Sequence, residues 1–345
     1  MNVTKFRKGF TDPRLHERFI AAVADGDLSE IDVITNASGT ARRFVDAGIN
    51  GMPRAIEINR RVVDDAGMTP APEFGSAEYM EGVQLVLELA KQRDLPLKDI
   101  NAPERGYTDL SPFLSDVMIP KYTTGVDYGT TKDTHALIQS GADLAGLLQV
   151  DRGRETAIQT GRDAAAYVHT DNPLLPWLRF VNHLLSNGVK PRRCAAMEGL
   201  DVQADFVTYG MPFFIMLLGE SIGKAGWCSF YVKWRDFAPR PEESTPVLTG
   251  EYLPLAFPEG SPMHCSDHSM HSVATCTCKE LMLQFFDGSA EMPVHGETIG
   301  SRAQQLADNV GLFRVHAGVH FPWEHTRADE RAKRYAEIIA EPYLR

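Results

Sequence analysis

Two segments, MPFFIMLLGESIGKAGWCSFYVKW at 211–234 and HSVATCTCKELMLQFFDG at 271–288, are apolar on nearly every face and long enough for several helical turns. A helix without a polar face must be surrounded by other helices, so these two segments already demand a helical core. Shorter segments supply the partners. In SAEYMEGVQLVLELAKQRD, Met80, Val83, Leu87 and Ala90 fall on one stripe behind Ser76 as N-cap. GRDAAAYVHTD at 161–171 predicts a second helix. A third is expected to open at Asn172 with Pro173 at N1, to align Leu174, Leu178, Val181 and Leu185, and to stop at Asn187-Gly188. SRAQQLADNVG, read with a Ser301–Gln304 capping box, and the terminal ADERAKRYAEIIAE complete the set. No alternating run of six residues bounded by turn residues predicts a strand, and no internal repeat is present. The predicted class is all-α. Loops are expected at 69–75, 102–124 and above all 238–263, where six of the 21 prolines interrupt any pattern.

Composition narrows the functional classes. With 43% hydrophobic and 23% charged residues the chain has the mixture of a globular protein. The excess of 46 acidic over 35 basic residues argues against nucleic acid as a partner. Five cysteines, an odd number without a CxxC pair, predict reduced thiols. The N-terminal stretch has no apolar run of a signal peptide, and the longest uncharged apolar run, 211–218, is far below the roughly 20 residues a membrane span needs. A cytoplasmic location without a membrane span is the expectation.

Chemistry concentrates in three stretches: YVKWRDFAPRPEE at 231–243, SPMHCSDHSMHSVAT at 261–275 and GLFRVHAGVHFPWE at 311–324. Lys233 and Arg240 lie seven apart and share a face if one helix continues through both, while Pro241 holds Arg240 extended at a helix end. Ser269 precedes the apolar helix expected over 271–287, whose first N–H groups and dipole favour an anion. Arg314 adds a fork suited to a tetrahedral oxyanion. Three such cations converging on one helix N-terminus require an anion to balance them. Five of the eleven histidines, His264, His268, His271, His316 and His320, fall within 57 residues and offer acid, base, nucleophile or ligand. A zinc site is disfavoured, because Cys276 and Cys278 stand two apart on a helix and point to different faces.

Lys233, Arg240-Pro241, Ser269-Met270-His271, Arg314 and His320, in this order and spacing, resemble the signature of the vanadium-dependent haloperoxidase and type 2 phosphatidic acid phosphatase superfamily. LPLAFPEGSPMHCSDHSMHSVAT, GRDAAAYVHTD, the FVTYG segment and AGVHF resemble further blocks of its bacterial and algal bromoperoxidase-like branch, over about residues 75–324. The resemblance implies a helical bundle of the haloperoxidase and acid phosphatase type. It implies a single domain over 1–345, with 1–75 an N-terminal extension and 225–325 holding the motifs. The implied reaction is oxidation of halide, bromide favoured, by hydrogen peroxide on a vanadate cofactor, halogenating a small organic substrate. Lys233, Arg240 and Arg314 would neutralise the vanadate oxygens, Ser269 and the N–H of Met270 would hydrogen-bond them, and His320 would ligate the metal. Lys233, His271 and His264 would form the catalytic set, His271 as acid–base group and His264 as the additional histidine of bromide-oxidising members. A homo-oligomer, dimer or larger, is implied. Phosphate can take the place of vanadate, so a phosphatase, an acid–base isomerase or a non-catalytic binder of phosphate or a small molecule are the alternatives.

Where the family usually has glycine this chain has Met270, which keeps the N–H but brings a bulky side chain to the pocket. Asp267 replaces an aromatic and places a carboxylate where it would repel an oxyanion. Glu324 stands where an aspartate would orient the axial imidazole.

Overall fold

The computed structural model describes residues 69–114, 117–119, 127–139, 154–192, 210–236, 238–257, 260–262 and 265–344, together with Arg18, Ala21 and Gly67. Cys194, His264, residues 206–209 of the FVTYG segment and nearly all of 1–66 lie outside them. The described helices are α1 Ala77–Lys91, α2 Lys132–Gln139, α3 Gly161–Thr170, α4 Leu175–Ser186, α5 Met211–Asp236, α6 Pro241–Leu248, α7 Met270–Phe285, α8 Ile299–His316 and α9 Pro322–Leu344. The architecture is helical as predicted. Among the described residues the sheet content is one two-stranded antiparallel ribbon, β1 Val117–Ile119 with β2 Arg154–Thr156, inside and beyond a stretch read as loop.

Of the two apolar segments, α7 becomes the centre, while α5 packs against it and leaves Ile215 and Met216 exposed on its outer face. α5 runs unbroken for 26 residues, and α7 packs against α5, α8 and α9, burying eleven of its sixteen residues. Val273, Ala274, Leu281 and Met282 are among them, and a large aliphatic side chain of this kind contributes about 1.5–3 kcal/mol when removed from water. Cys228, Cys265, Cys276 and Cys278 are buried and free. On α7, Cys278 Sγ meets Ser221 of α5 while Cys276 Sγ meets His325 of α9, so the two thiols face different neighbours.

Helix ends follow local chemistry, with corrections. Ser76 caps α1 through Tyr79 N, and Thr160 with Asp163 forms a reciprocal capping box on α3. α4 starts at Leu175, not Asn172, because the Asn172 side chain accepts from Leu174 N and spends those residues on a turn. Its predicted stop holds, with Asn187 at the C-cap and Gly188 at φ +75°. α8 starts three residues earlier than its capping box predicts, with Thr298 instead of Ser301 at the N-cap, since Thr298 accepts from Ser301 N. The 238–263 stretch is not all loop. Pro241 at the first helical position nucleates α6, and the interruption at Pro246 is what concealed it. Lys233 and Arg240 therefore sit on α5 and at the N-cap of α6 instead of on one helix.

Candidate active site

Four helix ends deliver the predicted residues to one place. The last turns of α5 carry Lys233, the N-cap of α6 is Arg240, the N-terminus of α7 follows Ser269, and α8 ends just after Arg314. His320 lies in the turn between α8 and α9, and the charges of Arg240, Lys233, Arg314 and His271 all act on its ring. Lys233, Arg240, Arg314 and His320 are buried.

Each cation has a different partner. Lys233 Nζ donates to two backbone carbonyls, Cys265 O at 2.9 Å and Ser266 O at 2.6 Å. Burial and then Arg240 lower its pKa to about 7, because the carbonyl dipoles and more distant carboxylates offset only part of the lost hydration. Arg240 has the extended backbone expected before proline, φ −72° and ψ 158°. Its guanidinium donates to Val319 O and lies 3.1 Å from His320 Nε2. Arg314 pairs with Asp171, both side chains at most 2% exposed. Burial alone would raise the Asp171 pKa, but Arg314 and then His271 outweigh it and hold the carboxyl at about 2. The same carboxylate meets His271 Nε2 at 3.2 Å, so Asp171 orients both groups. Burial, followed by Arg314, lowers the His271 pKa and keeps the ring neutral.

His320 is fixed from the other side. Glu324 Oε2 lies 2.6 Å from His320 Nδ1, while Glu324 Oε1 accepts from Ser266 Oγ at 2.5 Å and from Phe321 N at 3.0 Å. A carboxylate only accepts, so the ring proton sits on Nδ1 and Nε2 presents its lone pair toward Arg240. Burial and the surrounding cations push the His320 pKa well below its ordinary value. Ser269 caps α7 by accepting from Ser272 N at 3.3 Å, which leaves the N–H groups of Met270 and His271 without an intrahelical acceptor.

Three expectations change. Arg314 does not wait for an anion to balance it, because Asp171 already does. The Met270 side chain is accommodated against α5, where a Cβ on Gly226 would stand 3.2 Å from its methyl group. Asp267 is buried with His268 Nδ1 at 3.2 Å, and burial, Glu324 and Asp236 raise its pKa well above the ordinary carboxylate value, which favours the uncharged form over a repelling anion. His316 does not join the site. It is a core residue bonded to Tyr107 O at 2.9 Å, and burial lowers its pKa to about 4. Sequence reasoning missed Asp171, whose partner Arg314 lies 143 residues away. It also missed Ser266, and nothing local marks either one.

The donor set fits a tetrahedral oxyanion: an imidazole lone pair, three buried cations and the free end of a helix. No family model matches the sequence. The chain is 26% identical to a vanadium-dependent bromoperoxidase of Corallina pilulifera, over 58% of this chain and 45% of that protein. It is 25% identical to the vanadium-dependent bromoperoxidase of Corallina officinalis, with the same coverage. It thus spans less than half the length of these curated relatives. Its fold is that of the second vanadate-dependent bromoperoxidase of Ascophyllum nodosum, a homohexamer, with TM-score 0.64 and 15% identity over 96% of this chain and 77% of that one. The chain is thus similar in sequence to vanadium-dependent bromoperoxidases and has the helical fold of one of them.

Proposed function

We propose that this chain is a vanadate-dependent haloperoxidase that oxidises halide, bromide foremost, with hydrogen peroxide and halogenates a small organic substrate. The observation that carries the reading is His320, whose Nδ1 proton is committed to Glu324 so that Nε2 points its lone pair among three buried cations. Lys233, Arg240 and Arg314 would neutralise the oxygens of vanadate, Ser269 and the Met270 N–H would hydrogen-bond them, and His320 Nε2 would hold the metal. Bound vanadate supplies Lewis acidity toward peroxide without changing oxidation state. The chain's own contribution is preorganised charge and proton handling. Burial and Arg314 keep His271 neutral while Asp171 orients it, so the ring can take up and return a proton beside the bound oxyanion. His264 belongs to the proposed catalytic set by resemblance alone. The domain is proposed to be single, with 1–75 an extension and 225–325 carrying the motifs, and the homohexameric neighbour supports assembly of like chains.

The same donors suit phosphate. The Nε2 lone pair favours, as second reading, a phosphatase in which His320 attacks phosphorus and His271 protonates the leaving group. Bromination of an electron-rich dye with peroxide, with and without orthovanadate, run beside hydrolysis of an aryl phosphate, separates the two. Bromination that appears only with orthovanadate is the expected result. Phosphate release alone transfers the assignment to the phosphatase, and silence in both assays removes the enzyme reading. His320→Ala is expected to abolish orthovanadate binding, and unchanged vanadium content in that variant rules out the assigned ligand.

A further inference from the structure

One residue beyond Glu324, His325 turns to a different face of α9 and enters a second polar network behind the site. Its Nε2 lies 2.9 Å from Asp308 Oδ1 of α8, and its Nδ1 faces Cys276 Sγ of α7 at 3.8 Å. Gln304 Nε2 donates to the same Asp308 oxygen at 2.8 Å, and Lys279 Nζ of α7 bonds Gln304 at 2.9 Å and Asp329 of α9 at 2.5 Å. The His325 ring lies on the bare backbone of α8, where a Cβ on Gly311 would fall 2.0 Å from Nδ1. Only glycine allows that approach.

The three helices joined here, α7, α8 and α9, all border the site. Cys276 is two turns beyond the Ser269 cap, Gly311 is one turn before Arg314, and His325 directly follows Glu324. The Cys276 thiol is fully buried, and burial followed by Asp329 holds its pKa well above the ordinary value. With no exposed sulfur, a nucleophilic or redox role for this Cys, His and Asp set has no support, and what remains is geometry. Adjacent residues on a helix point about 100° apart, so fixing the His325 ring between α7 and α8 fixes the roll of the first turn of α9. That roll decides where the Glu324 carboxylate meets His320 Nδ1.

We propose that His325 is a positioning residue: held between Asp308 and Cys276, it sets the Glu324–His320 hydrogen bond that aims His320 Nε2 at the oxyanion. The affinity consequence rests on the reading of the pocket as an oxyanion site, whereas the hydrogen-bond consequence does not.

The test compares full-length wild type, His325→Phe, His325→Gln and Asp308→Asn. Phenylalanine keeps a ring but makes neither bond. Glutamine offers an N–H to Asp308 and an oxygen toward Cys276, so it is the conservative rescue. The Nδ1 proton signal of His320, read by NMR with 15N-labelled histidine in protein without added oxyanion, reports the bond to Glu324 directly. Orthovanadate affinity is measured in parallel by calorimetry. His325→Phe is expected to shift the His320 signal and weaken orthovanadate binding roughly tenfold, the low end for groups supporting a metal ligand. His325→Gln restores both, and Asp308→Asn changes both less and in the same direction. Should His325→Phe fail to fold, Asp308→Asn decides by the same readouts. A folded His325→Phe with the wild-type His320 signal overturns the proposal, as does an unmoved signal in Asp308→Asn when that variant must decide. If wild type binds no orthovanadate, the oxyanion reading fails, and the His320 signal alone still decides the role of His325.

Discussion

Lys233 and Arg314 are equally buried cations that both act on His320, and the fold treats them in opposite ways. Arg314 is matched by a full countercharge on Asp171, while Lys233 is held by the carbonyls of Cys265 and Ser266. The difference follows from their chemistry. A guanidinium stays charged and has to be paired when buried, whereas an ammonium can shed its proton, and Lys233 is pushed down to about 7, by burial first and Arg240 second. Arg314 therefore belongs to the finished structure. Lys233 stores unfavourable charge that an arriving oxyanion relieves.

The strongest way to break this contrast is Asp171→Asn. It strands the buried Arg314 and frees His271, and removing one partner of a buried pair costs about 3–5 kcal/mol. Urea unfolding is expected to show a loss of that size, with much of it recovered in the Asp171→Asn, Arg314→Met double variant. Glu324→Gln comes next. It keeps the shape but takes away the charged acceptor on His320 Nδ1, and orthovanadate affinity measured by calorimetry is expected to fall by roughly 10–100-fold.

Lys233→Met tests the other cation. Its folded-state pKa of about 7 lies below the unfolded value of about 10.4, so between these pH values the unfolded chain binds more protons than the folded one. Stability from this group thus rises with pH through that window, with a slope of at most about 1.4 kcal/mol per pH unit, and the penalty is fully present below pH 7. Lys233→Met is expected to flatten the rise in a urea series from pH 7 to pH 10. Because an oxyanion restores the ammonium, binding of inorganic phosphate at pH 8 should take up protons in wild type and not in the variant. Calorimetry in buffers of different ionisation enthalpy reads that directly. Equal uptake in both proteins would mean that the two cations are not treated differently after all.

Legibility in the sequence divides along the same line. Burial of α7 was readable, because a segment without a polar face has one solution, whereas α5 leaves Ile215 and Met216 exposed; Arg240 before Pro241 announced its own backbone. α6 was not, since Pro246 breaks the periodicity that would have revealed it. At the site, residue type and spacing on short segments point to Lys233, Arg240, Ser269 and Arg314, whereas the role proposed for His320 comes from the family resemblance. Clustering in sequence misplaced His316, which the turn of α8 carries into the core beside Tyr107. Asp171 was beyond reach, because its pairing with Arg314 exists only after α3 and α8 have packed. The carbonyls on Lys233 belong to the backbone and leave no trace in residue types at all.

The smallest effect concerns Ser269, which has two duties that one substitution would confuse. Its hydroxyl caps α7 through Ser272 N, and it is also proposed to hydrogen-bond the oxyanion. Alanine at an N-cap costs about 1 kcal/mol, but glycine costs only a few tenths, because its backbone leaves the first turn open to water. Ser269→Ala and Ser269→Gly therefore remove the same hydroxyl at different cost to the helix. If orthovanadate affinity falls equally in both while only alanine lowers thermal stability, the hydroxyl contacts the oxyanion. If affinity instead follows stability, Ser269 serves by holding the N–H groups of Met270 and His271 in place, and the anion is bound by the helix end together with the cations.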